Sequence, residues 1–181
     1  MQFVGMLRGT NVAGHKPVKM ETLRSCFESL GFKGIQTYVQ SGNVVFAVSG
    51  LGEPALVKKI ETKLLRDLGF PVPVLLRTAS DLSRIAKRNP FLRDKAVDPL
   101  KLHVTFLSEA PTAEARKNLE RLHPGPDRFH LTQREICLHC PQGYGRTKLS
   151  NATFERLLSV DATTRNWTTV NKLLEMASQP P

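Results

Sequence analysis

The sequence has no long apolar segment and few cysteines. No stretch of its 181 residues reaches the roughly 18 consecutive apolar residues of a membrane-spanning helix. Residues 1–8 also lack the basic leader and apolar core of a secretion signal, so we interpret them as a strand of the folded protein. The three cysteines, Cys26, Cys137 and Cys140, are an odd number and give no disulfide framework. These features predict a cytoplasmic protein with reduced thiols and no membrane partner.

The chain also lacks the motifs of common nucleotide-binding and hydrolytic sites. It contains no G-x-x-x-x-G-K-S/T loop and no G-x-G-x-x-G after a strand. H-E-x-x-H and G-x-S-x-G are absent as well. Gly143-Tyr144-Gly145 followed by Lys148 retains only part of a phosphate loop. We therefore predict no cofactor, and the sequence assigns neither a catalytic residue nor a reaction.

One short segment has the spacing of metal ligands. Cys137 and Cys140 flank His139, and His103 and His130 could lie nearby in the fold. On a strand, however, residues three apart point to opposite faces, so the two thiols cannot easily share one ion. We predict no metal site, with one of these thiols buried and the other exposed.

What the sequence has in excess is positive charge. The net charge is +10 and the isoelectric point is near 9.9. Residues 1–78 and residues 79–181 each carry +5, without a basic tail. This balance favours an anionic partner, and it fits a generally basic surface equally well. Aromatic residues make up only 7% of the chain, and the strand at 43–48 lacks the aromatic motif of RNA-recognition modules, so base stacking is disfavoured.

Hydrophobic periodicity in the first half of the chain predicts the order strand, helix, strand, strand, helix, strand. A tight turn at Ser41-Gly42 joins the two central strands. These elements are predicted at residues 2–8, 20–30, 35–40, 44–48, 54–68 and 71–76. The order β-α-β-β-α-β is typical of ferredoxin-like folds.

The second half repeats this order and adds a final helix. Its elements are predicted at residues 100–106, 111–122, 129–131, 136–138, 150–158, 160–164 and 167–177. We therefore predict an α+β protein of two tandem ferredoxin-like halves with antiparallel sheets and an extra C-terminal helix. Residues 1–78 form the first half, residues 79–98 a helix and linker, and residues 99–181 the second half with the C-terminal helix.

This topology gathers polar loops into two clusters. In the first half, strands one and two run parallel, so residues 8–11 and 40–43 leave the same edge of the sheet. In the second half, strands three and four run parallel, so residues 143–151 and 163–167 end together at the opposite edge. Glycines beside cations, with helices beginning near Ser150 and Asn166, can form an anion site. They can equally be turns, helix caps and solvated charges. Only Arg8 in the first cluster is hard to explain by local structure, because a partly buried cation needs a partner.

The candidate ligand-binding residues share a position in these two clusters. They are Arg8, Asn11, Gln40, Ser41, Asn43, Tyr144, Arg146, Lys148, Ser150, Asn151, Arg165, Asn166 and Trp167.

Four segments of these loops, in this order, resemble a bacterial family known as domain of unknown function 1697. They are Leu7-Arg8-Gly9-Thr10-Asn11-Val12 with Gly14, Thr37-Tyr38-Val39-Gln40-Ser41-Gly42-Asn43-Val44-Val45-Phe46, Lys148-Leu149-Ser150-Asn151, and Ala162-Thr163-Thr164-Arg165-Asn166-Trp167. The resemblance covers essentially the whole chain and implies a two-part ferredoxin-like α+β fold. It implies no activity. The stretch 13–17 departs from the second glycine and lysine-rich stretch common in the family.

Several functions stay open at this point. The leading hypothesis is binding of a small anionic, phosphate-bearing ligand at the two loop clusters. The second is nucleic-acid binding without sequence specificity, motivated by the charge. An enzyme acting on a phosphorylated or nucleotide substrate ranks lower, because only Glu155 and Asp161 lie near the second cluster as acids. A structural or interaction module is the fourth, since one fold hosts many functions.

Overall fold

The computed structural model describes residues 1–10, 17–39 and 42–180. The chain forms two compact units, Met1–Ser83 with Lys172–Pro181 and Arg84–Asn171. Each contains one four-stranded antiparallel sheet with helices, so the predicted α+β class is confirmed. Within the described ranges, no helix combines the length and the apolar character that crossing a bilayer requires.

The first unit has the predicted β-α-β-β-α-β order. Its elements are β1 (Gln2–Leu7), α1 (Met20–Ser29), β2 (Lys33–Tyr38), β3 (Asn43–Ala47), α2 (Glu53–Leu68) and β4 (Val74–Thr78). The strands lie in the order β2-β3-β1-β4, and each neighbouring pair is antiparallel.

The core of the first unit follows from two periodicities. On β3, Val44 and Phe46 are two residues apart and point to the same face of the sheet. On α2, Leu56, Ile60 and Leu64 are four residues apart and form one buried stripe. These side chains pack in one hydrophobic cluster, which leaves the opposite face of α2 to polar residues.

The second unit has the same order of strands and helices. In the chain, this order is preceded by one helix and followed by another, and a boundary between the two units falls inside each of these two helices. Its elements are α3 (Ala79–Arg88), β5 (Leu102–Leu107), α4 (Ala113–Glu120), β6 (Arg128–Leu131), β7 (Glu135–His139), α5 (Asn151–Leu158), β8 (Ala162–Asn166) and α6 (Trp167–Ala177). The strand order is β6-β7-β5-β8, again antiparallel throughout. Ile136 and Leu138 of β7 pack with Phe154 and Leu158 of α5 in its core.

Each unit has a buried arginine, and the two arginines occupy equivalent positions on the last strand of their units. Arg77 of β4 lies opposite Val4 of β1, and Arg165 of β8 lies opposite Val104 of β5. Arg77 is 1% exposed and Arg165 is 8% exposed. The repetition between the halves therefore extends from the order of elements to an individual residue, which the sequence pattern alone did not reveal.

Three strands begin later than predicted. β4 begins at Val74 rather than at residue 71, because Pro71 and Pro73 cannot donate to the ladder. β5 begins at Leu102, because the Asp98 carboxylate accepts from the Leu100 amide at 2.9 Å and closes a 3-10 turn first. β8 covers Ala162–Asn166 rather than residues 160–164.

The segment predicted as a linker is ordered by local contacts. Asn89 and Phe91 are buried, and the Asn89 side chain accepts from the Phe91 amide at 3.1 Å to cap a 3-10 helix at Pro90–Arg93. The two units divide inside α3, between Ser83 and Arg84, rather than in residues 89–98.

Candidate functional site: an arginine cleft in the second unit

A cleft of about 530 Å³ opens in the second unit between α3, α4 and the hairpin of β6 and β7. Three of its lining side chains are arginines and only one is a carboxylate. Its lining residues are Arg84, Ile85, Arg88, Arg116, Leu131, Thr132, Gln133, Glu135 and Cys137. We call it the arginine cleft.

The sequence of α3 places two of these arginines. Thr78 and Asp81 form a reciprocal capping box at its N-terminus, in which the Thr78 amide donates to the Asp81 carboxylate at 3.0 Å and the Asp81 amide donates to Thr78 Oγ1 at 3.1 Å. Arg84 and Arg88 follow one turn apart on one face of the helix. Ile85, which is 6% exposed, is the buried anchor between them. The helix therefore presents two exposed guanidinium groups to the cleft.

Arg116 of α4 is held by backbone acceptors. Its Nε donates to the Pro111 carbonyl at 3.2 Å, and its Nη2 lies 3.5 Å from the Gln133 carbonyl. These contacts fix the stem of the side chain against the β6–β7 hairpin. Arg88, by contrast, makes no ion pair with any residue in the described part of the chain. A ligand can therefore meet one oriented and one adaptable guanidinium.

Glu135 is the one acid of the cleft, and it is 2% exposed. Thr132 Oγ1 donates to its Oε2 at 3.2 Å, and Arg84 Nη2 lies 3.9 Å from the same oxygen. A buried polar group is costly without such hydrogen-bond and ion-pair partners. With three cations against one anion, the cleft keeps a positive balance.

Cys137 lines the same cleft beside Glu135. Burial and the neighbouring Glu135 carboxylate raise the pKa of the Cys137 thiol to about 12. Burial and a hydrogen bond to Asp67 raise the pKa of Cys26 to about 11. Both groups are therefore protonated thiols at neutral pH and poor nucleophiles.

These pKa values predict slow alkylation. At neutral pH, we expect iodoacetamide to label Cys137 at least about 100-fold more slowly in the folded protein than in denaturant, since the thiolate is the reactive form. Mass spectrometry of timed samples measures the rate. Because the pKa lies near 12, the rate should keep rising with pH well beyond pH 9. A plateau below pH 9 would contradict the assignment of Cys137 as a buried neutral thiol.

The first predicted loop cluster is only partly described. Asn11, Gln40 and Ser41 lie outside the described residues. Arg8 is half-buried and has partners, as its position at the end of an apolar strand requires. Asn43 is fully buried, and its Nδ2 donates to the Tyr38 carbonyl at 3.1 Å. The Leu7 amide donates to the Gly42 carbonyl at 2.8 Å, so the two predicted loops do adjoin.

The second predicted cluster brings some of its residues together. Thr164 Oγ1 donates to Asn151 Oδ1 at 2.6 Å. The ring of Tyr144 stacks on His103, with centroids 4.8 Å apart, and burial raises the pKa of Tyr144. Burial also lowers the pKa of His103, whose Nδ1 has no hydrogen-bond partner among the described residues. His103 and Thr164 were not candidates in the sequence, because strand alternation alone does not reveal which polar residues meet a loop.

Other members of that cluster act in local structure or face solvent. Ser150 accepts from the Thr153 amide at 3.2 Å and caps α5, and Asn166 accepts from the Thr169 amide at 2.8 Å. Arg146 and Lys148 are exposed. Trp167, 8% exposed, is buried at the start of α6.

Arg165 was predicted in a polar loop, but it is a buried residue of β8. Alternation on β8 turns it to the sheet face opposite Thr164 and Asn151. Its Nη1 donates to Thr163 Oγ1 at 2.8 Å and to the Thr164 carbonyl at 2.9 Å. Burial lowers its pKa to about 10, so it stays charged at neutral pH. A substitution at Arg165 would therefore disturb packing as well as any ligand.

The cysteines also differ from expectation in one respect. Cys137 lies on β7 and Cys140 directly follows that strand, and both are buried, at 3% and 0% exposure. The prediction of one exposed thiol is wrong, because Cys140 packs in the core of the second unit and Cys137 is buried beside Glu135 in the wall of the cleft. Across residues 1–10, 17–39 and 42–180, no group of three or more His, Cys, Asp or Glu side chains is placed to hold a metal.

None of the candidate residues named from the sequence lines the arginine cleft. Arg84 and Arg88 carry a signal in their spacing of four on a predicted helix. Arg116 carries none, and Cys137 was considered only as a metal ligand, because only the tertiary fold brings α4 and β7 to α3.

Residues 1–137 match a family described as "Protein of unknown function (DUF1697)". Among solved structures, the chain is similar to the conserved bacterial protein SP0830 from Streptococcus pneumoniae, with a TM-score of 0.78 and 21% sequence identity over 98% of each chain. At that identity the likeness describes the fold alone. No curated protein matches the chain.

Proposed function

Since the chain belongs to the DUF1697 family, which carries a fold without an assigned activity, we propose a function from the arginine cleft: it binds a small anionic ligand. The observation that carries the proposal is the lining of the cleft, where three arginines meet one buried carboxylate. Guanidinium groups bind carboxylate and phosphate oxygens through paired, charge-assisted hydrogen bonds.

The size and walls of the cleft favour a small molecule over an inorganic ion. Its volume of about 530 Å³ is within the range of pockets for drug-sized ligands. Ile85, Leu131 and Cys137 give it an apolar portion beside the charges. We therefore propose an organic phosphate or carboxylate, with the anionic group at Arg88 and Arg116 and the carbon skeleton toward the apolar wall. A cytoplasmic location is part of the proposal, and the three free cysteines support it.

The first experiment is a thermal-shift panel of inorganic phosphate, nucleotides, sugar phosphates and aromatic carboxylates at two salt concentrations. A ligand present at about 100 times its dissociation constant stabilises the folded protein by about 2.7 kcal/mol. A shift that is selective for one class of organic anion and survives moderate salt supports the proposal. If no member of the panel stabilises the protein, the cleft does not bind small anions of these classes.

Arg88→Gln then locates the ligand. We expect the affinity of the strongest panel compound to fall by about 10-fold to 100-fold, since a hydrogen bond to a charged group contributes about 1.5–3 kcal/mol. Titration calorimetry measures the change. Because Arg88 is exposed and unpaired among the described residues, its loss should leave the melting temperature of the free protein unchanged.

Two matched variants decide where the ligand binds. Arg121→Gln removes the same charge from an exposed position on the same unit, outside the cleft lining, and should leave affinity unchanged. Lys148→Gln tests the second predicted loop cluster. Loss of binding in Lys148→Gln with none in Arg88→Gln would move the site from the arginine cleft to that loop.

A further inference from the structure

A basic groove runs along the first unit, remote in sequence from the arginine cleft. It consists of two adjoining cavities, of about 490 and 420 Å³, that share Leu30 and Lys59 in their walls. Its cationic lining side chains are Lys33, Lys58, Lys59, Lys63 and Arg66.

The sequence of α2 builds most of this groove. Ala55, Lys58, Thr62 and Arg66 follow at spacings of three and four, so they form one stripe along the helix. Eleven residues of rise make this stripe about 16 Å long. The opposite stripe of α2 is the buried one, which turns the cations outward.

The positive charge of the groove is only weakly offset. No carboxylate lines either cavity in the described part of the chain. Glu61 of α2 is turned away, because its Oε1 accepts from the Val74 amide at 2.9 Å. Asp67 pairs with Lys63 at 2.5 Å and with Arg66 at 3.6 Å, so it neutralises part of one end. Lys33, Lys58 and Lys59 have no acidic partner among the described residues, and Lys59 Nζ donates to the Leu30 carbonyl at 3.4 Å.

We infer that the basic groove binds the phosphate backbone of a single-stranded nucleic acid. A concave positive track suits a single strand, whose backbone such grooves follow. Five basic side chains line the two cavities, which allows about five contacts to backbone phosphates. The one ring in the lining, Phe32, is 6% exposed and lies under Lys59, at 5.6 Å from Nζ to the ring centroid. The Phe32 ring is too buried to stack on a base. We therefore expect the protein to contact only the phosphate backbone, without preference for a base sequence.

An anionic membrane suits this surface less well. Helices that lie on membranes insert an apolar face beneath their cations. Leu56, Ile60 and Leu64, the apolar face of α2, are 0% exposed in the core. The outward stripe offers charge without an apolar face to insert.

Salt dependence gives the first test. With about five backbone contacts, the logarithm of the association constant should fall with the logarithm of salt at a slope of about −3.5. That slope means a loss of about 100-fold between about 50 mM and about 200 mM salt. Fluorescence anisotropy of a labelled mixed-sequence DNA strand of about 12 nucleotides measures it. Affinity that does not change with salt, or no binding at the lower salt, overturns the inference.

A double substitution that removes two positive charges from the basic groove tests whether the nucleic acid binds there. Lys58→Gln with Arg66→Gln should weaken binding by about 10-fold to 100-fold at about 50 mM salt and reduce the slope by about 1.4. The matched control, Lys117→Gln with Arg121→Gln, removes the same charge from an exposed position of α4 and from its exposed C-cap residue. Equal losses in both pairs would mean that net charge alone acts, and would overturn the groove.

Two further arms separate the alternatives. Vesicles containing phosphatidylserine should bind more weakly than the oligonucleotide, and stronger binding to vesicles overturns the choice of partner. Arg88→Gln should leave oligonucleotide affinity unchanged, since that residue lies outside the groove. This inference therefore stands or falls independently of the proposed function.

Discussion

Phe46→Ala is expected to lower the free energy of unfolding by about 3–5 kcal/mol, because it removes a fully buried ring from the hydrophobic core of the first unit. The Phe46 ring stacks on Phe32 with centroids 4.9 Å apart and meets Phe27 edge-on at 5.1 Å. It also lies 6.0 Å from Phe3. Three aromatic contacts and the cavity left behind make this substitution one of the most costly in the chain.

Urea denaturation of Phe46→Ala and of a matched surface variant measures the effect. Leu65→Ala removes an apolar side chain that is 48% exposed on α2, and should change the free energy of unfolding by less than about 1 kcal/mol. Phe46→Leu should fall between the two, because it refills most of the volume. If Phe46→Ala and Leu65→Ala cost the same, the aromatic cluster does not hold the core of this unit.

The order of elements could be predicted because each one carries its own local signal. The stripe of Leu56, Ile60 and Leu64 and the capping side chain of Ser150 are both visible in a few neighbouring residues. The order β-α-β-β-α-β then follows, and with it the parallel directions that bring the loops near Gly42 and Leu7 together.

The arginine cleft could not be predicted in the same way. Its walls come from α3, α4 and β7, and no local pattern indicates that Arg116 and Arg88 line the same cleft. The loop cluster near Arg165 was predicted by topology, but topology does not decide on which sheet face a side chain lies. The predicted strand ended at residue 164 and left Arg165 in a loop, whereas β8 runs to Asn166 and pairs Arg165 with Val104 inside the sheet.

Gly42→Ala is expected to destabilise the protein by about 2–4 kcal/mol, although it adds a single methyl group to a turn. Gly42 has a φ of +71°, a conformation that disfavours any side chain. An added Cβ would lie 2.6 Å from Thr10 Oγ1 and 2.9 Å from the Leu7 Cβ. Thr10 is 2% exposed, so neither neighbour can withdraw into solvent. The turn must move away from β1, and the hydrogen bond from the Leu7 amide to the Gly42 carbonyl is strained with it.

Gly9→Ala separates the two causes. Gly9 has a φ of +69° and nothing within 4 Å of its added Cβ, so only the conformational cost of about 1–2 kcal/mol applies. The difference between the two variants in urea denaturation measures the steric contact of the turn with β1. We expect Gly42→Ala to be the more costly by at least about 1 kcal/mol. Equal losses would mean that the two loops of the first cluster do not touch, and that the polar residues around Arg8 and Asn43 are held apart.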